Sequence, residues 1–171
     1  MTDPVTSLST LALAISSFVA VYISYWGIKR QTESMARSVS ADLCLKLVDR
    51  FDGPEMVAKR CLAARALLNR ANLEAAEDVF DFFETVGLYV QRGMLDNMLA
   101  HSMFFHWTNL YWHAGKGYIL TSRRRSAAIY RDFEFLYNAL LEIEMKDDPK
   151  SGDINPTDAD VESFLKQEVQ S

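Results

Sequence analysis

The sequence predicts an all-α protein in which one N-terminal transmembrane helix continues into an antiparallel cytoplasmic helical bundle. Three observations predict it. Residues Pro4 to Ile28 contain no charged side chain, and a helix of that length crosses a hydrocarbon core of roughly 30 Å. Beyond Ile28, apolar residues recur at three- and four-residue steps, the helical period. No stretch alternates apolar and polar residues with β-branched enrichment, so strands are not expected.

The first predicted helix begins with the anchor, residues 1–28. A cleavable leader needs a basic start and a small-residue cleavage site. Here Asp3 is the only charge before the run, and the run ends in Tyr25 and Trp26, which suit the membrane–water interface. Lys29 and Arg30 follow at once, with Arg37 beyond. Positive charge is retained on the cytoplasmic side. The expected topology is therefore single-pass, with the N-terminus outside and the C-terminal domain cytoplasmic.

The anchor is dotted with hydroxyls. At about 100° per residue, Thr6, Ser9, Thr10, Ser16, Ser17 and Ser24 share one arc, with Leu13 interrupting it. Ala12, Ser16, Ala20 and Ser24 follow one another at four-residue steps, so they form the expected oligomer interface. Small residues let backbones approach, and hydroxyls bond across the contact. The bulky opposite side would meet lipid. Serines can also bond the carbonyl four residues back in their own helix, which requires no partner.

Helical periodicity continues through Met35, Val39, Leu43, Leu47, Val48 and Phe51, with no Gly or Pro from 28 to 52. The "DGP" at 52–54 ends this helix and starts a second at about 55–70, burying Val57, Cys61, Ala64, Leu67 and Leu68. A third, at about 73–92, carries Val79, Phe80, Phe82, Phe83, Val86, Tyr89 and Val90, and Gly93 ends it. A fourth, at about 95–114, presents Leu95, Met98, Leu99, Phe105, Tyr111 and Trp112, and "AGKG" at 114–117 closes it. A fifth, at about 122–146, presents Ile129, Phe133, Leu136, Leu140, Leu141 and Ile143. The bundle domain is thus 29–146. Residues 147–171 read as an acidic linker and tail, in which "DADVESFLKQEV" can form a short amphipathic helix.

Net charge is −5. The tail from 147 alone carries −5, and the body from 29 to 146 is near neutral. That balance lacks the basic stripe of a nucleic-acid binder. Cys44 and Cys61 read as reduced thiols on the cytosolic side, since two cysteines without matching histidines make no zinc site.

No catalytic residues, metal ligands or cofactor motif emerge. His101, His106 and His113 share one helix, but not the i, i+4 spacing that builds helical zinc sites. Glu84 lies among aromatic residues, where an unpaired charge costs several kcal/mol. A structural ion pair with Arg60 or Arg65 is the expected remedy. Arg123, Arg124 and Arg125 form a basic cluster at the start of the fifth helix, against the helix dipole. Anionic lipid, the acidic tail or solvent would each accommodate it.

The run "VFDFFETVGLYVQRGMLDNMLAHSMFFHWTNLYWHAGKGYILTSRRR" resembles a bacterial family of unknown function with one N-terminal membrane helix and a small helical cytoplasmic domain. Phe83, Glu84, Gly87, Gly93, Leu95, Asp96, Tyr111, Trp112 and Arg123 or Arg124 carry the resemblance. More distantly, the layout is similar to the membrane accessory protein of type VI-B CRISPR systems, which joins an anchor to a divergent HEPN-like bundle and can form membrane pores. HEPN RNases place an Arg four to six residues before a His, and that motif is missing here.

The resemblance carries no established activity; with the anchor and its serine face, the first reading is a non-enzymatic, oligomeric protein of the bacterial inner membrane, a membrane-acting effector or accessory in stress or phage defence. Its partners would be the lipid bilayer and its own copies. A single-pass adaptor docking a cytosolic partner is the alternative, and an HEPN-like RNase the third.

Overall fold

The computed structural model describes residues 4–147 and 155–170, with side chains for all of these except 4–21 and 33. Every regular element among them is helical. The order is α1 (Pro4–Asp52), α2 (Pro54–Asn69), one 3-10 turn (Leu73–Ala76), α3 (Glu77–Gln91), α4 (Asn97–Ser122), α5 (Arg131–Asp147) and α6 (Asp158–Glu168). The chain divides into two units, Met1–Val39 and Ser40–Ser171. The second of these units includes α6.

In the first unit, Tyr22, Ile23, Tyr25, Trp26, Ile28, Met35 and Val39 are all exposed. Met35 and Val39 thus leave the apolar stripe expected of them. No described helix is long and apolar enough to cross a membrane. The expected anchor, residues 1–28, falls mainly on side chains outside the described residues, as do Ala12, Ser16 and Ala20. Ser24 is described and exposed.

In the second unit, α1 contributes Ser40, Cys44, Leu47 and Phe51 to the interior. Gly53 separates it from α2, whose first residue is Pro54, as "DGP" predicts. Arg70, not a glycine, ends α2 in the left-handed conformation at φ 51°. The turn before α4 is closed by Asp96, whose carboxylate accepts the backbone N–H groups of Met98 and Leu99. The Asp96 N–H in turn donates to buried Ser40 Oγ at 2.8 Å.

The core is aromatic. Phe51, Phe80, Phe82, Phe83, Phe104, Tyr111 and Phe133 are all almost fully buried, at about 1.5–3 kcal/mol for a side chain of this size. Phe83 stacks on Phe133 with centroids 5.2 Å apart. The helix α3 packs against α5 more extensively than any other pair of elements. Gly87 permits this, because a Cβ there would stand 2.0 Å from the Asp132 carbonyl oxygen.

Two expectations about the elements change. The helix α4 does not close at "AGKG" but runs on to Ser122. Gly115 is a contact rather than a stop, since a Cβ there would fall 2.3 Å from the Phe80 ring. The acidic tail is not only a linker. A capping box of Thr157 and Asp160 starts α6, which buries Phe164, Leu165 and Glu168 and packs on α2 and α4.

Candidate functional site

The most deeply buried charged constellation joins α2, α4 and α6. Arg60 projects from α2 into the core, where a guanidinium needs several acceptors to offset its lost hydration. Its Nε donates to Glu168 Oε2 at 2.8 Å and its Nη2 to Glu168 Oε1 at 3.2 Å. Nη1 donates to the Phe51 carbonyl at 3.1 Å, and the guanidinium lies 4.4 Å from the centroid of the Phe51 ring. The Tyr111 hydroxyl donates to the same Glu168 oxygen at 2.8 Å. Burial and the neighbouring Glu168 carboxylate raise the Tyr111 pKa well above its ordinary value, so the phenol remains protonated and donating. Beside them, Cys61 Sγ meets the Val169 carbonyl at 3.5 Å. This is a latch: an arginine forked onto a carboxylate of α6, with its third nitrogen bonded to the Phe51 carbonyl of α1.

Glu84 has a different partner from the one its sequence suggests. It forms no ion pair among the described residues. Arg60 is taken by Glu168, and Arg65 is exposed. Glu84 Oε2 instead accepts the Phe133 backbone N–H at 2.6 Å. Phe133 lies in the first turn of α5, so Glu84 caps that helix from a neighbouring one. Burial raises its pKa, and the backbone N–H groups of Phe133 and Asp132 offset this in part.

Glu84 also lines a cleft of about 360 Å³ with Glu77, Asp81, Tyr118, Arg125 and Tyr130. The three carboxylates stand at steps of four and three residues, hence on one face of α3. The Tyr118 hydroxyl donates to Glu77. Burial, with Glu77 and Asp78 nearby, raises the Asp81 pKa. The raised pKa values of Asp81 and Glu84 describe carboxyl groups that keep their protons longer.

The basic cluster divides. Arg123 is structural, because its Nε and Nη2 donate to the Ile129 and Tyr130 carbonyls and its Nη1 to Glu134 at 2.6 Å. It ties the α4–α5 turn, where Tyr130 adopts φ 53°, with one N–H of each of its three nitrogens engaged. Arg125 borders the acidic cleft. Arg124 is exposed.

The histidines are scattered among separate partners. His101 meets Glu144 at 2.9 Å and His113 meets the Tyr137 hydroxyl at 3.2 Å. His106 packs edge-on to Phe164 and borders an open cleft of about 580 Å³ with Phe105, Glu144 and Asp160. Among the described residues, no three His, Cys, Asp or Glu side chains are arranged to hold a metal.

Periodicity alone does not find the latch. The available signal is Glu168, four residues after Phe164 and three after Leu165, which puts a carboxylate on the apolar face of its helix.

Residues 11–140 match the profile of the domain of unknown function DUF4760. No curated protein and no solved structure matches the chain. The matched span contains Arg60 and Tyr111 but ends before Glu168.

Proposed function

We propose a function from one premise, that the chain belongs to the DUF4760 family: it is a non-enzymatic, single-pass membrane protein that self-associates. The observation that carries this reading lies at the end of the uncharged run. Tyr22, Ile23, Tyr25, Trp26 and Ile28 are 59–65% exposed within seven residues of one helix. Water is a poor solvent for so continuous an apolar surface. A bilayer interface accepts it, with Tyr and Trp at headgroup level. Lys29 and Arg30, directly after the uncharged run, support a cytoplasmic location for residues 29–171.

Self-association through Ala12, Ser16, Ala20 and Ser24 rests on their small size and four-residue spacing. The non-enzymatic reading is supported by the structural employment of Arg60, Glu84, Glu168 and Arg123, each of which ties helices or a turn together. A role as a membrane-acting effector or accessory in stress or phage defence, at the bacterial inner membrane, rests on the distant resemblance to CRISPR accessory proteins.

The test begins with carbonate washing of cell membranes. The protein should remain in the pellet, and release into the wash overturns the anchor. A C-terminal reporter active only in the periplasm should stay silent. Ser16→Leu with Ala20→Leu should reduce oligomer mass in mild detergent, whereas leucines at Val19 and Tyr22 should not. Dye leakage from reconstituted vesicles supports a membrane-acting role. An oligomer without leakage favours the adaptor, and RNA cleavage by the purified protein would overturn the non-enzymatic reading.

A further inference from the structure

The helix α6 packs on α2 and α4 rather than on α5, the helix that precedes it in the chain. Its anchors lie in its second half. Phe164 sits edge-on to both Tyr111 and His106, with ring centroids at 5.1 and 5.9 Å. Leu165 is buried as well, and Glu168 closes the latch on Arg60 and Tyr111. The first half is bordered by open clefts on both flanks. One of about 580 Å³ runs past Asp160 and Ser163, and one of about 440 Å³ past Asp158 and Glu162. Pro156, on the approach to α6, lines both. Packing therefore does not fix the side from which the chain arrives. The tie from α5 to this approach is weak, since the Tyr137 hydroxyl donates to Asn155 Oδ1 across 3.5 Å.

Residues 148–157 connect α5 to α6, a length of chain that reaches about 30–35 Å when fully extended. Pro156 biases Asn155 towards extended backbone, against a tight return. The capping box of Thr157 and Asp160 starts α6 from within its own segment, so the helix needs nothing upstream to begin. The socket on α2 and α4 thus holds a self-contained helix by Phe164, Leu165 and Glu168, and every copy of the chain carries that helix. We propose that α6 is exchanged between copies. The α6 of one copy seats on α2 and α4 of a second, and its Glu168 closes the latch on the second copy's Arg60 and Tyr111. The seat is the one that α6 already fills in a single chain, so the contacts inside the socket are unchanged by exchange. Copies held in one oligomer present their α6 helices to one another at high local concentration. The inference rests on the self-association proposed above.

The experiment co-produces two differently tagged full-length chains, one with Arg60→Met and the other with Glu168→Leu. Within its own chain, each variant leaves one charge buried without its partner. Exchange returns Glu168 of the first chain to Arg60 of the second, and brings the two substituted positions together. Co-production should yield a complex carrying both tags that melts near wild type, several degrees above either variant produced alone. A mixture that melts no higher than the separate variants overturns exchange. The single chain with both substitutions checks that the apolar pair is accepted. If that chain fails to fold, a disulfide decides instead. Cys61 Sγ lies 3.5 Å from the Val169 carbonyl, so Val169→Cys in a Cys44→Ala background is placed to bond it. Mild oxidation in the native membrane should give dimers that join position 61 of one copy to position 169 of another, read by peptide mass. Internal disulfides without such dimers overturn exchange. Mass in mild detergent separates two failures. An oligomer without exchange sinks this inference alone, and a monomer sinks self-association as well.

Discussion

Glu84 on α3 caps α5 by accepting the Phe133 backbone N–H at 2.6 Å, so one side chain fastens the most extensively packed helix pair of the domain. Gln can still accept that bond and should cost less than about 1 kcal/mol, whereas Leu leaves helix-terminal N–H groups unpaired and should cost about 1–3 kcal/mol. The pH dependence has a definite sign. Burial raises the Glu84 pKa above 4.5 in the folded protein. Such a carboxyl stabilises most below its unfolded value, and that contribution is lost as pH rises through the folded value. The stability of wild type relative to Glu84→Gln should therefore decline from about pH 4 towards neutrality. Thermal unfolding at a series of pH values, followed by near-ultraviolet dichroism, measures it, and a flat difference would refute the assignment.

Glu168→Leu should destabilise by about 3–5 kcal/mol, because it leaves the Arg60 cation buried without its carboxylate. Arg60→Met with Glu168→Leu should recover much of that loss, since neither partner then carries charge. Unfolding of wild type, both single variants and the double variant gives the coupling. Additive losses would mean that Arg60 and Glu168 act independently despite their forked contact.

Two glycines of α4, two residues apart, should respond in opposite directions. Gly115→Ala drives a methyl into the Phe80 ring and should destabilise by about 1–3 kcal/mol. A Cβ at Gly117 would meet nothing within 4 Å, so Gly117→Ala should stabilise by about 1 kcal/mol through helix propensity alone. Melting temperatures rank the three proteins directly. A stabilised Gly115→Ala would mean that α3 and α4 are more loosely packed than the Phe80 contact implies.

Arg123→Ala should cost on the order of 2–3 kcal/mol, since it removes charged hydrogen bonds to two turn carbonyls and Glu134. Arg124→Ala should change stability by less than about 0.5 kcal/mol, yet weaken co-sedimentation with vesicles containing anionic lipid. Unchanged co-sedimentation removes the lipid role from the cluster.

The legible parts of the fold are those fixed by side-chain periodicity. Val79, Phe80, Phe82, Phe83, Val86 and Val90 are buried on α3 as their spacing predicts. The illegible parts depend on backbone groups or on close approach. Glu84 reads as half of an ion pair because a sequence displays cations but not the N–H groups of a distant helix terminus. Arg123 is misread for the same reason, its principal partners being carbonyls. Gly115 looks like punctuation because nothing near it in sequence announces the Phe80 ring. The stretch "DADVESFLKQEV" is legible as a short amphipathic helix, whereas the burial of Glu168 against Arg60 is not, because the partner lies 108 residues away. The proposed oligomer interface is only partly described, through exposed Ser24.

The latch also imposes an order in time. Arg60 and Glu168 are 108 residues apart, and ribosomes add about 5–20 residues per second. During synthesis the arginine therefore waits on the order of 5–20 s for its carboxylate. A chain cut short before α6 keeps a cation that its core cannot accommodate. The fold thus closes around Arg60 only after α6 has been synthesised.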